Sequence, residues 1–345
     1  MLPIEALTAK LDSYPRLSLA EYPTPLEHLP SISKELDRPV YIKRDDQIGP
    51  GMGGSKTRKL EYLLAHAQKF HARKVVTFGG LQSNHARLTA AAARKLGMQA
   101  HLFYFAPRPA LMEGNLVISQ LLGARMHFIP LGSTGAGMSL EATCRLVRML
   151  ALARIGPHYF IPVGGHNWRG CLGYVRAAVE IDRQAREMGL DKAWFVAAAG
   201  TGGTLAGLMA GLALAGSPIR LQGIDVGKLW KSFPASIAHI AAELCSRLGS
   251  PMDFNPAQIP LIEKEYCGEA YAIPSRAGDD ALRRVARSEG ILLDPVYTAK
   301  AFAGLLDLVE RKQLGQNEPV IFLHTGGNPA LFARTEIFPQ QRDYI

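Results

Sequence analysis

Lys56 is the residue in this chain best placed for covalent chemistry. It follows Gly49-Pro50-Gly51-Met52-Gly53-Gly54-Ser55, a loop with four glycines in six residues, and precedes Thr57-Arg58-Lys59. A β-like run, Val40-Tyr41-Ile42-Lys43, leads in, and a helical pattern leads out. Glycines allow positive φ and a close approach of backbone to a ligand. A lysine where such a loop becomes a helix sits near the positive end of the helix dipole, which favours the neutral amine. A neutral amine attacks carbonyls, so the position suits a Schiff-base lysine. Two other readings stand beside this one. Lys56-Thr57 fits the end of a G-x-x-x-x-G-K-[ST] phosphate loop, but Pro50 and Ser55 occupy its glycine positions. The plainest reading is a Gly-rich turn with a solvated lysine. An aldehyde cofactor on Lys56 would need a phosphate cradle elsewhere.

Further glycine turns follow apolar runs at 79–80, 200–203 and 326–327. Gly200-Thr201-Gly202-Gly203-Thr204 opens a helical pattern, and its free N–H groups and two hydroxyls suit a monophosphate. The alternative is close helix–strand packing; the dinucleotide fingerprint G-x-G-x-x-G is missed at Leu205. Gln82-Ser83-Asn84-His85 starts another helix, where Ser83 or Asn84 serves as N-cap or the quartet holds a carboxylate. His85 alone reads as a hydrogen-bonded structural histidine. In Asp294-Pro295-Val296-Tyr297-Thr298, Pro295 stiffens the approach, Thr298 is the expected N-cap, and Tyr297 alone reads as core.

These turns need a scaffold. The chain predicts an irregular lead-in over its first forty residues, a helix from Lys56 to about 70, strand 74–78 and helix 83–96 with Gly97 as its cap. Strand 101–105, helix 115–122, strand 126–129, helix 140–155 and strand 159–161 follow. After Gly164-Gly165 come helix 173–186, strand 194–198, helix 204–215, strand 220–224 and helix 235–248. Helices 279–288 and 298–312 and strand 320–323 complete the series. Such alternation predicts α/β architecture with parallel sheets flanked by helices and ligands beyond the carboxyl ends of the strands.

At 345 residues, 48% hydrophobic and 20% charged, the chain reads as globular with two domains. The net charge of +9 comes from scattered Lys and Arg without a basic run, so no nucleic-acid partner is expected. The four cysteines lack metal-ligand spacing, so reduced core thiols and no metal are expected. The N-terminus shows no signal-peptide pattern. The uncharged stretch 193–216 is broken by its glycine turn and reads as strand, turn and buried helix, with Gly207-x-x-x-Gly211 serving helix packing. A cytoplasmic protein with no membrane contact is the expectation.

Gly53-Gly54-Ser55-Lys56-Thr57-Arg58-Lys59-Leu60-Glu61, Gln82-Ser83-Asn84-His85-Ala86-Arg87, Thr201-Gly202-Gly203-Thr204, Asp294-Pro295-Val296-Tyr297-Thr298 and His324-Thr325-Gly326-Gly327 occur in one order. Together they resemble the pyridoxal-phosphate enzymes of the tryptophan-synthase-β fold, fold type II. Within those, the chain is similar to the 1-aminocyclopropane-1-carboxylate deaminase and D-cysteine desulfhydrase group, from about Pro23 to Phe332. One departure is Ser55, where the family usually has asparagine.

The resemblance implies two open, mostly parallel twisted sheets, with a small domain over 53–163 inserted in a larger one formed by 1–52 and 164–345. It implies that Lys56 holds pyridoxal 5′-phosphate as a Schiff base and works as acid/base at the substrate Cα. Lys59 and the Gly200, Thr201, Gly202, Gly203 and Thr204 turn would hold the phosphate, and Asn84 the 3′-oxygen. Ser83 would bind the substrate carboxylate, flanked by Gln82, Asn84 and His85. Tyr297 would be a second acid/base group, helped by Tyr271 in Gly268-Glu269-Ala270-Tyr271-Ala272-Ile273-Pro274. Thr298 and Thr325 would contact the cofactor, and Thr325 also the substrate. A homodimer acting on a small amino acid is implied. The ring-opening deaminases carry glutamate and leucine at the places of Thr298 and Thr325, so the expected reaction is β-elimination of D-cysteine. Ring opening of aminocyclopropane carboxylate, or elimination from cysteate, are the alternatives.

Overall fold

The computed structural model describes residues 1–130, 139–190, 192–263 and 265–334. The lead-in is more ordered than expected: it forms α1 (Ile4–Asp12), β1 (Leu26–His28) and α2 (Pro30–Glu35) before β2 (Val40–Arg44). Leu7 and Leu11, one turn apart, bury the inner face of α1, and Pro30 opens α2 at its first turn, where its missing N–H is harmless. Then come α3 (Lys56–Lys69), β3 (Lys74–Gly79), α4 (Asn84–Lys95), β4 (Gln99–Tyr104), α5 (Asn115–Leu121), β5 (Arg125–Phe128), α6 (Leu140–Ile155) and β6 (Tyr159–Phe160).

The second half holds α7 (Trp168–Glu187), β7 (Trp194–Ala199), α8 (Gly203–Ala215), β8 (Arg220–Asp225), α9 (Phe233–Arg247), β9 (Leu261–Ile262), α10 (Arg276–Glu289), α11 (Thr298–Glu310) and β10 (Val320–His324). Helix α7 starts five residues before the expected Gly173, because the Asn167 side chain accepts from Gly170 N–H and caps it there.

Six strands form one sheet in the order β1-β2-β10-β7-β8-β9, and four form the other, β5-β4-β3-β6. Among the described residues only the β1–β2 pairing is antiparallel. Alternate residues of the larger sheet feed two cores. Phe195, Ala197, Ile321 and Leu323 pack with residues of α7, α8 and α9, and Val196, Ala198, Val320 and Phe322 with those of α10 and α11. In the smaller sheet Val75 and Leu102 face one core and Val76 and Phe103 the other.

Helix α8 packs on α7 through bare glycines. A Cβ on Gly207 would lie 2.6 Å from Cys171 O, and one on Gly211 would lie 2.5 Å from Ala178 Cβ. The spacing thus serves packing inside the protein, and among the described residues no helix is long and apolar enough to cross a membrane. Three of the four cysteines, Cys171, Cys245 and Cys267, are buried.

Candidate active site

A cavity of about 460 Å³ opens where loops from both sheets meet. Lys56, the first residue of α3, projects into it. Gly53 (φ +64°) and Gly54 (φ +137°) shape the approach; a Cβ on Gly53 would sit 2.4 Å from Asp46 O. Arg87, fully buried in α4, donates to the carbonyls of Gly51 and Gly53. Ser55 N–H donates to Thr325 O at 3.0 Å, tying the lysine loop to the last glycine turn. Under the lysine, Arg58 donates to Asp45 and Glu180, while Asp45 also accepts from Tyr174 and Thr24, at 2.8 and 3.0 Å. These buried, mutually paired groups fix the N-terminal turn of α3.

Burial above all, then the like charge of Lys59, brings the Lys56 amine down to about 7, with Asp294 and Asp45 pulling the other way. The cause differs from the helix dipole argued from the sequence, but the consequence, a neutral amine near neutral pH, is the same.

Gly200, Thr201, Gly202 and Thr204 line the cavity together. Gly202 (φ +79°) leads into α8, leaving the first N–H groups of that helix free of intrahelical partners. Gly203 lies just behind the cavity. A Cβ there would come within 3.0 Å of Cys171 Sγ, His166 Nδ1 and Lys59 Nζ. Lys59 therefore stands beneath the turn, its Nζ donating to Gly164 O at 3.0 Å and its basicity lowered by burial. His166 binds Ser236 Oγ through Nε2 at 2.8 Å, while its buried Nδ1 has no partner among the described residues. Burial and then Lys59 push this histidine down to about 3. A buried ammonium, an orphan imidazole nitrogen, two threonines and a helix N-terminus around a glycine turn fit a phosphate group.

Ser83, Asn84 and His85 line the cavity at the start of α4. Ser83 Oγ caps the helix by accepting from Ala86 N–H at 3.2 Å. Asn84 Oδ1 accepts from Asn115 Nδ2 at 2.9 Å. His85 Nε2 pairs with Thr77 Oγ1 at 2.9 Å, and burial followed by Lys56 and Lys59 keeps the ring neutral. Gln82 is not part of the lining. Its Oε1 accepts from Asn115 N–H (2.9 Å) and its Nε2 donates to Glu113 O (3.1 Å), so both ends hold the start of α5.

Tyr271 and Tyr297 also line the cavity, joined by a hydrogen bond between their hydroxyls, with ring centroids 5.8 Å apart. Burial raises Tyr271 to about 12 and Tyr297 well above the ordinary range, so both phenols keep their protons. Gly80 makes room for this: a Cβ there would lie 2.9 Å from Tyr271 Cε1. Thr325 lines the cavity, but Thr298 does not. Thr298 is fully buried and is the first residue of α11, not its N-cap. The N-cap residue is Tyr297, and the carboxylate of Asp294, just upstream, accepts from the N–H groups of Val296, Tyr297 and Thr298 and from the Thr298 hydroxyl. The Thr298 hydroxyl in turn accepts from Asp294 N–H at 2.7 Å.

Sequence reasoning passed over Phe78, Phe105, Leu229 and Trp230, which also line the cavity. Trp230 Nε1 donates to Gly200 O at 3.0 Å, bracing the 200–203 glycine turn. Isolated aromatic residues carry no spacing signal, so nothing in the sequence set them apart from core.

Residues 17–326 match the family described as Pyridoxal-phosphate dependent enzyme. A D-cysteine desulfhydrase of Yersinia enterocolitica is 39% identical over 334 residues, 95% of this chain and 98% of that protein. One from Salmonella schwarzengrund is 38% identical over 94% of this chain and 97% of that one. Among solved structures, an ACC deaminase homologue aligns with a TM-score of 0.85 at 38% identity, covering 97% of this chain and 98% of the other. Threonine deaminase isoform 2 of Solanum lycopersicum, at 18% identity and a TM-score of 0.65 over 97% of this chain and 88% of its own, shares the fold. The matched span runs from before the lysine loop to the final glycine turn, and the cavity fits the phosphate such a cofactor carries. The chain belongs to the pyridoxal-phosphate-dependent enzymes.

Proposed function

We propose that this protein is a D-cysteine desulfhydrase, which eliminates hydrogen sulfide from D-cysteine and leaves pyruvate and ammonia. The carrying observation is that one cavity holds a lysine near 7 together with a protonated tyrosine pair. Near-full-length likeness to two D-cysteine desulfhydrases supports the substrate.

Pyridoxal 5′-phosphate, which Lys56 would hold, would supply the electron sink that acidifies the substrate Cα–H. The α8 N-terminus, with Thr201, Thr204 and Lys59, would hold its phosphate, and Asn84, which lines the same cavity, would contact its ring. Ser83 and the free N–H groups at the start of α4 bind the substrate carboxylate. The neutral Lys56 amine would take the substrate Cα proton. As the carbon–sulfur bond breaks, the thiolate receives a proton from the Tyr271–Tyr297 pair, which burial keeps protonated. The released enamine hydrolyses to pyruvate and ammonia. Of the two threonines singled out by resemblance, Thr325 is the one that lines the cavity and would contact the cofactor.

We assign residues 53–163 to the small domain, and 1–52 with 164–345 to the larger one. A cytoplasmic homodimer is part of the same proposal.

The likeness to an ACC deaminase homologue favours a second reading, ring opening of aminocyclopropane carboxylate to 2-oxobutanoate and ammonia. Product identity decides between them. The purified holoenzyme is given D-cysteine and, separately, aminocyclopropane carboxylate. Pyruvate with sulfide from the first alone supports the proposal, and 2-oxobutanoate from the second alone replaces it.

A further inference from the structure

Tyr271 comes from a stretch without helix or strand, 265–275. Two residues within it, Gly268 (φ +67°) and Ala272 (φ +60°), have left-handed backbone, which for alanine is uncommon and needs outside support. Carbonyls of the same stretch are held by Lys300, in the first turn of α11, the helix that Tyr297 precedes. Its side chain is fully buried. Among the described residues its ammonium forms no ion pair; it donates to Cys267 O at 2.7 Å and Ala270 O at 3.2 Å. Ala270 directly precedes Tyr271. A buried ammonium held only by carbonyls is costly unless those bonds do something for the fold or the site. Lys228 adds an exposed outer clasp to Gly268 O at 3.0 Å.

One helix therefore sets both members of the tyrosine pair: its first turn follows Tyr297, and Lys300 holds two carbonyls of the stretch that leads into Tyr271. We propose that Lys300 is a positioning residue, pinning the 267–270 carbonyls so that the Tyr271 hydroxyl stays on Tyr297 and its ring stays over Gly80. This rests on the proton-donating role proposed above for the pair.

Lys300→Met keeps the length of the stem and removes the donors. Its kcat for D-cysteine falls by about tenfold or more with KM nearly unchanged, since the loss lies in a proton transfer and not in ground-state binding. Tyr271→Phe alone causes a similar loss, and the double variant is no slower than Tyr271→Phe, because Lys300 acts through that hydroxyl. Lys300→Gln, which keeps a donor, recovers part of the rate. Hydrogen exchange of the 267–272 amides in the holoenzyme accelerates in Lys300→Met, a readout that needs no turnover. Unchanged exchange overturns the clamp, and losses that multiply in the double variant overturn action through Tyr271. A wild-type holoenzyme inert toward D-cysteine would sink the proposed function instead, with exchange still deciding the clamp.

Discussion

Lys56 gives a quantitative prediction about uptake of an aldehyde by the cofactor-free protein. An ordinary lysine titrates at 10.5, whereas burial and Lys59 bring this one to about 7. Only the neutral amine attacks. At pH 8 the neutral fraction is then about 0.9, against about 0.003 for an unperturbed lysine, a difference of roughly 300-fold. The sign follows: the rate of Schiff-base formation rises about tenfold per pH unit up to 7 and is flat above it. Pyridoxal, lacking the phosphate, is the probe, so that the phosphate turn and Lys59 do not enter through binding. Absorbance of the Schiff base is followed in the stopped flow from pH 5 to pH 10. Lys59→Met removes a like charge and moves the midpoint upward. A rate that keeps climbing tenfold per unit toward pH 10 would refute the account of Lys56. The same shift links to stability. Between pH 7 and 10.5 the unfolded chain carries a proton on Lys56 that the folded chain lacks. This group's contribution to stability of the cofactor-free protein therefore rises with pH through that window and is constant below it.

Two other substitutions test the scaffold. Thr298→Val removes the hydroxyl bonded to Asp294 N–H and carboxylate, at a cost of about 1–3 kcal/mol in urea unfolding. Since Thr298 is outside the cavity lining, turnover should change less than stability; lost turnover with unchanged stability would put its hydroxyl in the site. Asp45→Asn weakens the buried partner of Arg58 and Tyr174 and should cost about 3–5 kcal/mol, read from the same unfolding curves, and unchanged stability would show that Glu180 alone anchors Arg58.

The strand–turn–helix order was legible in the sequence because glycine is needed where the chain turns sharply, and so the turns at 49–54, 79–80, 200–203 and 326–327 stand out. The lead-in was not, since three-residue β1 and six-residue α2 are too short to display a period. The cap of α11 was misplaced by reading Thr298 in isolation. Asp294, with acceptors reaching the next N–H groups, was the available signal. Gln82 shows a different limit: its partners at 113 and 115 lie about thirty residues away, and no local pattern reveals that they use up its amide. The same holds for Glu180, which reaches Arg58 from 122 residues along the chain, and for Trp230 beside Gly200. Residues made special by a turn can be read locally, whereas residues made special by a distant partner cannot.

The central claim is elimination from D-cysteine with Lys56 as the base. The most direct test is sulfide and pyruvate release from D-cysteine and from L-cysteine by the wild type and by Lys56→Ala, side by side. The account predicts equal amounts of both products from the D-isomer with wild type, and a loss of about 10²-fold or more in the variant. Products from L-cysteine alone, or undiminished release by Lys56→Ala, would contradict it.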